Sequence, residues 1–154
     1  MHKIIPHLFL THLLGLLANC KVRIIKNLLI RSFIKLYKPN LNEAIYSDIK
    51  KYGSYNDFFT RKLKKGSRVV DNTDTSFISP VDGEIVDHGL IEEGQLIQAK
   101  KFNYALEDLV GEDYRSHYSQ GYFITIYLAP TDYHRIHCPF GGQITYSKHL
   151  GTSL

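Results

Sequence analysis

The sequence predicts an α+β fold, a helical front followed by a mainly antiparallel β region, and three observations carry that expectation. Apolar residues in the first 40 positions recur at helical spacing, with Val22, Ile25, Leu29, Phe33 and Leu36 forming one stripe. From Phe77 onward the apolar runs are short and punctuated by glycine, as in Glu84-Ile85-Val86, Gly89-Leu90-Ile91 and Gly94-Gln95-Leu96-Ile97, which argues for short strands joined by turns. A strand-like stretch, Phe123-Ile124-Thr125-Ile126-Tyr127-Leu128, then leads into Asp132-Tyr133-His134-Arg135-Ile136-His137-Cys138-Pro139.

A chain of 154 residues with 44% hydrophobic content can bury a real core and carries no mark of disorder. Its two cysteines, Cys20 and Cys138, lie far apart and match no zinc pattern, so they read as free thiols in a reducing compartment.

The net charge of +4 hides an asymmetry: residues 1–40 carry seven basic residues and no acid, while the remainder is net negative. The same front segment is the most apolar, with Leu8, Phe9, Leu10, Leu13, Leu14, Leu16 and Leu17 preceding the second stripe, and it reads as two amphipathic helices. The uncharged run from Ile4 to Cys20 is 17 residues long and contains Pro6, His7, His12 and Asn19, which disfavours a bilayer span. A signal peptide fits less well, because basic residues and a second apolar helix follow the run. Two readings remain open, a helix pair lying in the membrane interface with its basic residues on anionic head groups, and a helix pair packed on the domain core with a solvated basic face. Nucleic-acid binding is not expected, since the basic residues are interleaved with aliphatics and accompany no reader motif.

After Lys38-Pro39-Asn40, residues Leu41 to Tyr52 read as a short acidic helix started by Asn40 or Asn42 and closed by Gly53. In Asn56-Asp57-Phe58-Phe59-Thr60-Arg61 the paired aromatic reads first as core or a packed helix turn. Tyr104 to Leu109 reads as a helical turn with an acidic face, ended by Gly111.

Two segments are candidates for chemistry. Ser79-Pro80-Val81-Asp82-Gly83 is first a turn signal, in which the glycine takes positive φ and the aspartate bonds to backbone two residues on. Its functional reading is a carboxylate that orients a histidine and stabilises the imidazolium. His134 and His137 sit between Pro130 and Pro139, in a loop at a strand end where binding and catalytic groups gather. No metal is expected, because the His-x-x-His spacing is wrong for two ligands on one helix face and no glutamate follows the first histidine. Activation of a nucleophile suits the pair better, since an imidazole can accept a hydroxyl proton at neutral pH.

Together, Asn56-Asp57-Phe58-Phe59-Thr60-Arg61 with Leu63-Lys64, Ser79-Pro80-Val81-Asp82-Gly83, Gly94-Gln95-Leu96-Ile97-Gln98-Ala99-Lys100, Tyr104-Ala105-Leu106-Glu107-Asp108-Leu109 and Asp132-Tyr133-His134-Arg135-Ile136-His137 resemble the phosphatidylserine decarboxylases. The resemblance implies conversion of phosphatidylserine to phosphatidylethanolamine and CO2 by a self-generated pyruvoyl group. In that family an Asp-His-Ser triad cleaves a proenzyme, and the serine remnant becomes the pyruvoyl electrophile that condenses with the substrate amine and takes up electrons as CO2 leaves. Carried onto this chain, Asp82 matches the triad acid, His137 the triad base and His134 the histidine of the decarboxylation step. The resemblance further implies a helical membrane-associating region over 1–52 and the N-terminal part of a β-rich catalytic domain over 53–154. It also implies an anionic phospholipid membrane as partner, a C-terminal chain carrying the pyruvoyl group, and a peripheral location on the cytoplasmic face of the cell membrane.

The family's processing motif, Leu-Gly-Ser-Thr or a close variant, comes well beyond the histidine segment. Here Leu150-Gly151-Thr152-Ser153 imitates it with the last two residues inverted, lies close to His137, and falls where the family has a Pro-Gly-x-Leu segment. Ser153 is therefore not expected to be the pyruvoyl precursor, and the chain is expected to be an incomplete, inactive piece of the catalytic domain with exposed sheet edges. A second reading is a noncatalytic membrane-binding or carrier module, because Ser79 to Leu96 also resembles the hairpins of biotinyl and lipoyl domains. Against it, no lysine stands at a hairpin tip in a Met-Lys-Met setting.

Overall fold

A computed structural model describes residues 7–71, 73, 75–91, 95–98, 102–112 and 115–147. Residues 1–6, Gly94, Ala99-Lys100 and the Leu150-Gly151-Thr152-Ser153 ending lie outside the described residues. The elements are α1 (His7–Ala18), α2 (Arg23–Tyr37), a 3-10 turn (Ile49–Lys51), α3 (Tyr55–Phe59), β1 (Glu84–Leu90), β2 (Gln95–Gln98), β3 (Phe102–Ala105), α4 (Leu106–Val110), α5 (Arg115–Tyr118) and β4 (Tyr122–Tyr127). Helices and antiparallel strands thus coexist in the α+β class. The chain divides into two compact units, one running up to Asp82 and including Ala129–His137, the other made of Gly83–Leu128 and the residues from Cys138 on.

In the first unit the two expected front helices are present. α2 turns Lys26, Ile30 and Phe33 inward, positions four and three apart that share one face. Lys38 ends it in the left-handed conformation (φ 50°), donating its N–H to Ile34 O at 2.9 Å, and Pro39 follows where the helix cannot continue. Ile30, Phe33, Tyr52 and Phe58 form the core, with Ile34, Leu41, Ile49, Tyr55 and Phe59 packed around them. Phe33 meets Tyr55, Phe58 and Phe59 edge-on at centroid distances of 5.7–5.9 Å, the arrangement that brings ring edges onto ring faces. Residues expected on either side of a 52/53 division therefore share one core. Lys26, 5% exposed, satisfies its buried ammonium by donating to Tyr52 O (2.6 Å) and Ile49 O (3.3 Å).

The acidic helix expected over Leu41–Tyr52 is not formed. Ala44 pairs with Leu63 in an isolated antiparallel bridge, Ile45 donates to Lys62 O and Lys64 donates to Glu43 O, both at 2.8 Å. Backbone groups committed to that distant pairing cannot close helical turns, and only the 3-10 turn before Tyr52 remains. Asn40 Oδ1 does accept from the Asn42 N–H (3.1 Å), but as a local turn and not as a helix cap. α3, by contrast, has a proper start: the Asp57 N–H donates to Ser54 Oγ (3.1 Å), and Asp57 Oδ2 accepts from the Gly53 N–H (2.8 Å).

In the second unit β1 pairs antiparallel with β4, from Glu84 opposite Tyr127 to Leu90 opposite Tyr122, with a register shift between Ile85 and Asp87. The runs Glu84–Val86 and Gly89–Leu90, separate in sequence, belong to this one strand. Gly89 permits it because a Cβ there would meet Cε1 of the Phe123 ring at 3.3 Å. β2 pairs antiparallel with β3, and Phe77-Ile78 belongs to no strand. Tyr104 and Ala105 complete β3, so the expected helical turn begins at Leu106. It ends where predicted, at Gly111 (φ 86°), whose N–H donates to Glu107 O. Ile91 and Leu106 form the core here, against Val110 and Phe123.

The turn expected at Asp82-Gly83 needs correcting. Gly83 does not have positive φ. It is required for close approach, since a Cβ would lie 2.5 Å from Tyr127 O and 2.9 Å from Ile126 Cγ2. Local bonding two residues on is made by Ser79, whose Oγ donates to Val81 O (2.6 Å).

Phe58→Ala is expected to lower the unfolding free energy by about 3–5 kcal/mol. Leu28→Ala, at a position 65% exposed, is expected to change it by no more than about 0.5 kcal/mol. Urea denaturation followed by tyrosine fluorescence measures both, the chain having no tryptophan.

Candidate active site

The histidine loop, Ala129–His137, is shaped first by Asp132. Its carboxylate accepts from the Ala129 N–H (2.7 Å) and from Thr131 Oγ1 (3.2 Å), while its own N–H donates to Ala129 O (2.9 Å), closing a tight turn around Pro130. Beyond the turn the loop docks on the Phe58–Arg61 segment. Arg61, 3% exposed, donates from Nη2 to Thr131 O (3.0 Å) and Asp132 O (3.3 Å), and Arg135 Nε donates in return to Thr60 O (2.7 Å). The His137 N–H donates to Pro80 O (2.8 Å), joining the loop to the Ser79–Asp82 segment.

His134 stacks on the Phe59 ring at 4.1 Å, and its Nε2 lies 3.0 Å from Ala129 O. His137 lies at the other end of the loop, its Nε2 3.0 Å from the hydroxyl of Tyr133, which is 8% exposed. The two rings lie nearly parallel, 5.4 Å apart.

Asp82 and His137 line one cavity of about 600 Å³ in the first unit. Lys62, Lys64, Arg68 and Arg135 give its wall positive charge, and Val69, Val70 and Val81 give it an apolar side. Among the described residues no hydrogen bond joins Asp82 to His137. The carboxylate is held by Arg68, whose Nε lies 3.1 and 2.9 Å from Oδ1 and Oδ2 and whose Nη2 also bonds Oδ2. Arg68 Nη1 lies 2.9 Å from Glu43 Oε2. These hydrogen bonds, from Asp82 above all, push the Arg68 guanidinium well above its usual range. His134 does not line this cavity.

A second cavity of about 280 Å³ is bordered by Arg61, Arg68, Asp82, Asp132 and Tyr133. Burial pulls the Arg61 guanidinium below its ordinary value, against the opposing pull of Tyr52, Glu43 and Asp132. An arginine keeps its charge at neutral pH under such a shift. Cys20 and Cys138 are free thiols. Among the described residues no group of three histidine, cysteine or acidic side chains is placed to hold a metal ion.

Sequence reasoning passed over Arg61, Arg68, Tyr133 and Arg135. Arg61 left the clearest signal, a charged residue directly after an aromatic pair destined for the core. Arg68 and Arg135 find their partners in distant parts of the chain, and Tyr133 meets His137 four residues on.

A family model described as phosphatidylserine decarboxylase matches residues 55–154, and one described as PSD matches residues 1–38. The chain belongs to the phosphatidylserine decarboxylase family. It is 43% identical over 144 residues to a phosphatidylserine decarboxylase proenzyme of Polaromonas naphthalenivorans, covering 92% of this chain and 49% of that protein. A proenzyme of the same description from Vibrio parahaemolyticus is 42% identical over 142 residues, covering 91% and 50%. Another, from Ectopseudomonas mendocina, is 40% identical over 143 residues, covering 92% and 50%. The chain spans about half the length of the curated relatives it matches.

The Arg68–Asp82 pair, with side chains 42% and 28% exposed, is expected to show a coupling of no more than about 1 kcal/mol in a double-mutant cycle of Arg68→Met and Asp82→Asn. The coupling is expected to shrink in about 1 M salt, where the screening length is near 3 Å. Denaturation of the four proteins at low and high salt measures it.

Proposed function

We propose that this chain carries the acid–base residues of a pyruvoyl-dependent phosphatidylserine decarboxylase, acting on phosphatidylserine to give phosphatidylethanolamine and CO2. The observation that carries the reading is the placing of Asp82 and His137 on one cationic, partly apolar cavity, in a chain of this family. Such a wall suits the phosphate and glycerol portions of an anionic phospholipid. His137 offers Nε2 as the base that removes a hydroxyl proton during self-cleavage. Asp82, once released by Arg68, stabilises the imidazolium that results. His134, positioned by Phe59 and Ala129, acts in the decarboxylation step. A pyruvoyl group, when present, supplies the electron sink for loss of CO2. The donor set fits that chemistry, with cationic side chains to hold an anionic substrate and a histidine to move protons. The pyruvoyl-forming serine is assigned to the half of the relatives' length that this chain does not align with, and Ser153 is not given that role.

Residues 1–52 are proposed as a membrane-associating region and 53–154 as part of the catalytic domain, peripheral on the cytoplasmic face of the cell membrane. Supporting this, Leu10, Leu13, Leu14, Leu16 and Leu17 of α1 are 40–61% exposed, as are Ile24, Leu28 and Leu36 of α2 at 65–80%. Arg31 and Lys35 are exposed on the same helix. Among the described residues no helix is long and apolar enough to cross a membrane.

The test joins the full chain to the unaligned half of the Polaromonas relative, with the chain alone as control. The fusion is expected to cleave itself and to form phosphatidylethanolamine, read by gel and lipid chromatography. His137→Ala should slow cleavage by about 10²–10⁴-fold, whereas His134→Ala should spare cleavage and lower product formation by a similar factor. A fusion that folds and cleaves with alanine at 137 would sink the assignment. For the membrane half, Leu14→Gln with Leu16→Gln is expected to weaken flotation with anionic vesicles and leave the core intact. Unchanged flotation would count against an interfacial α1.

A further inference from the structure

The two histidines of the loop have chemically different partners, and hydrogen-bond accounting assigns each a protonation site. His134 Nε2 faces Ala129 O at 3.0 Å. A carbonyl oxygen only accepts, so this nitrogen carries the proton, and Nδ1 of His134 keeps its lone pair. His137 Nε2 faces the Tyr133 hydroxyl at 3.0 Å, a group that can donate or accept. Tyr133 is 8% exposed, and among the described residues no carbonyl or carboxylate accepts from its hydroxyl. If His137 donated, the phenolic O–H would lose the one protein acceptor it has among the described residues, the costlier arrangement for a part-buried pair. The satisfied arrangement has the phenol donating and the imidazole accepting.

We infer that Tyr133 is a positioning residue that holds His137 in the Nδ1–H tautomer, opposite to the Nε2–H tautomer of His134, so that His137 Nε2 stands ready as a base. The inference rests on the proposed role of His137 and adds the group that prepares it. Proton removal needs a lone pair on the nitrogen that meets the substrate hydroxyl, with the other nitrogen protonated toward a carboxylate. Tyr133 supplies the first condition by keeping Nε2 unprotonated as the acceptor of its own hydroxyl, a place that the reacting hydroxyl takes when Tyr133 gives it up. The second follows, since Nδ1 then carries the proton and has no protein partner among the described residues. Asp82, on the same cavity, is the carboxylate available to it after release from Arg68. The Tyr133 ring packs nearly parallel on that of His137, whose own N–H is anchored to Pro80 O. His134, with Nε2 committed to backbone, cannot substitute as a base through that nitrogen. This explains on geometry alone why two histidines three residues apart would divide their work.

The test is long-range 1H–15N correlation spectroscopy of the full chain labelled with 15N, at pH about 8.5, where a neutral ring reports its tautomer by its two nitrogen shifts. His134→Gln and His137→Gln assign the signals by loss. His137 is expected to show a protonated Nδ1 and a bare Nε2, and His134 the reverse. In Tyr133→Phe the ratio of Nδ1–H to Nε2–H forms of His137 should fall by about fivefold, the ratio one ordinary hydrogen bond commands, with His134 unchanged. A protonated Nε2 on His137 in the unsubstituted chain overturns the inference, as does an unaltered His137 in a folded Tyr133→Phe variant. If that variant loses the His134 pattern as well, it has unfolded, and the unsubstituted chain alone decides. Because the reading needs no turnover, the tautomer pattern can hold while the decarboxylase assignment fails, and the reverse.

Discussion

A buried guanidinium lying over the Phe58 ring, 5.8 Å from its centroid, ties together two stretches of chain some seventy residues apart. Arg61 donates to two successive carbonyls of the histidine loop, and Arg135 of that loop donates to the carbonyl just before Arg61. Both Arg61 bonds leave one nitrogen, Nη2, so a single donor group of the guanidinium bridges the two successive carbonyls. Burying such a charge is tolerable only when hydrogen bonds answer it, so the loop carbonyls and the arginine require one another. Asp132 shapes the turn, but this clasp fixes where the turn sits. The stacking of His134 on Phe59 and the burial of Tyr133 follow from it. Two other donors of Arg61, Nε and Nη1, are buried without a protein partner, and a small polar cavity adjoins them.

Asp82 belongs to a different electrostatic regime. Its partner Arg68 is exposed enough for water to screen the pair, which makes the bond geometrically well defined and energetically weak. A carboxylate held this way can change partners at small cost, unlike one sealed in the interior. The contrast between Arg61 and Arg68 therefore separates a fixed frame from an adjustable one within the same unit, and the proposed chemistry needs both.

α2 serves two surfaces at once. Lys26, Ile30 and Phe33 face the aromatic core, while Ile24, Leu28 and Leu36 remain outside among basic residues. Phe58 and Phe59, adjacent in sequence, link that core to the histidine loop: one is wholly buried against Phe33, the other carries His134 on its face. Core packing and the placing of a site residue are thus properties of one dipeptide, so the core reading of the aromatic pair and a role in the site are not alternatives.

The sequence by itself determined the features that depend on neighbours along the chain. Helical spacing gave α1 and α2, short apolar runs punctuated by glycine and the strand-like stretch from Phe123 gave β1 and β4, Gly111 ended α4, and the prolines kept His134 and His137 in a loop. Features that depend on distant partners were decided only by the tertiary structure. The Leu41–Tyr52 segment has a helical pattern, yet the pairing of Ala44 with Leu63 takes its backbone groups elsewhere. Gly83 looks like a turn glycine, but what demands it is the carbonyl of Tyr127, forty-four positions on. Arg68 on Asp82 and Arg61 on the loop carbonyls leave no periodic trace, because hydrogen bonds across a fold depend on where the chain returns and not on local spacing. Tyr133 and His137 are four apart and could have been paired from sequence, but only the packing of the two rings decides which nitrogen the hydroxyl meets.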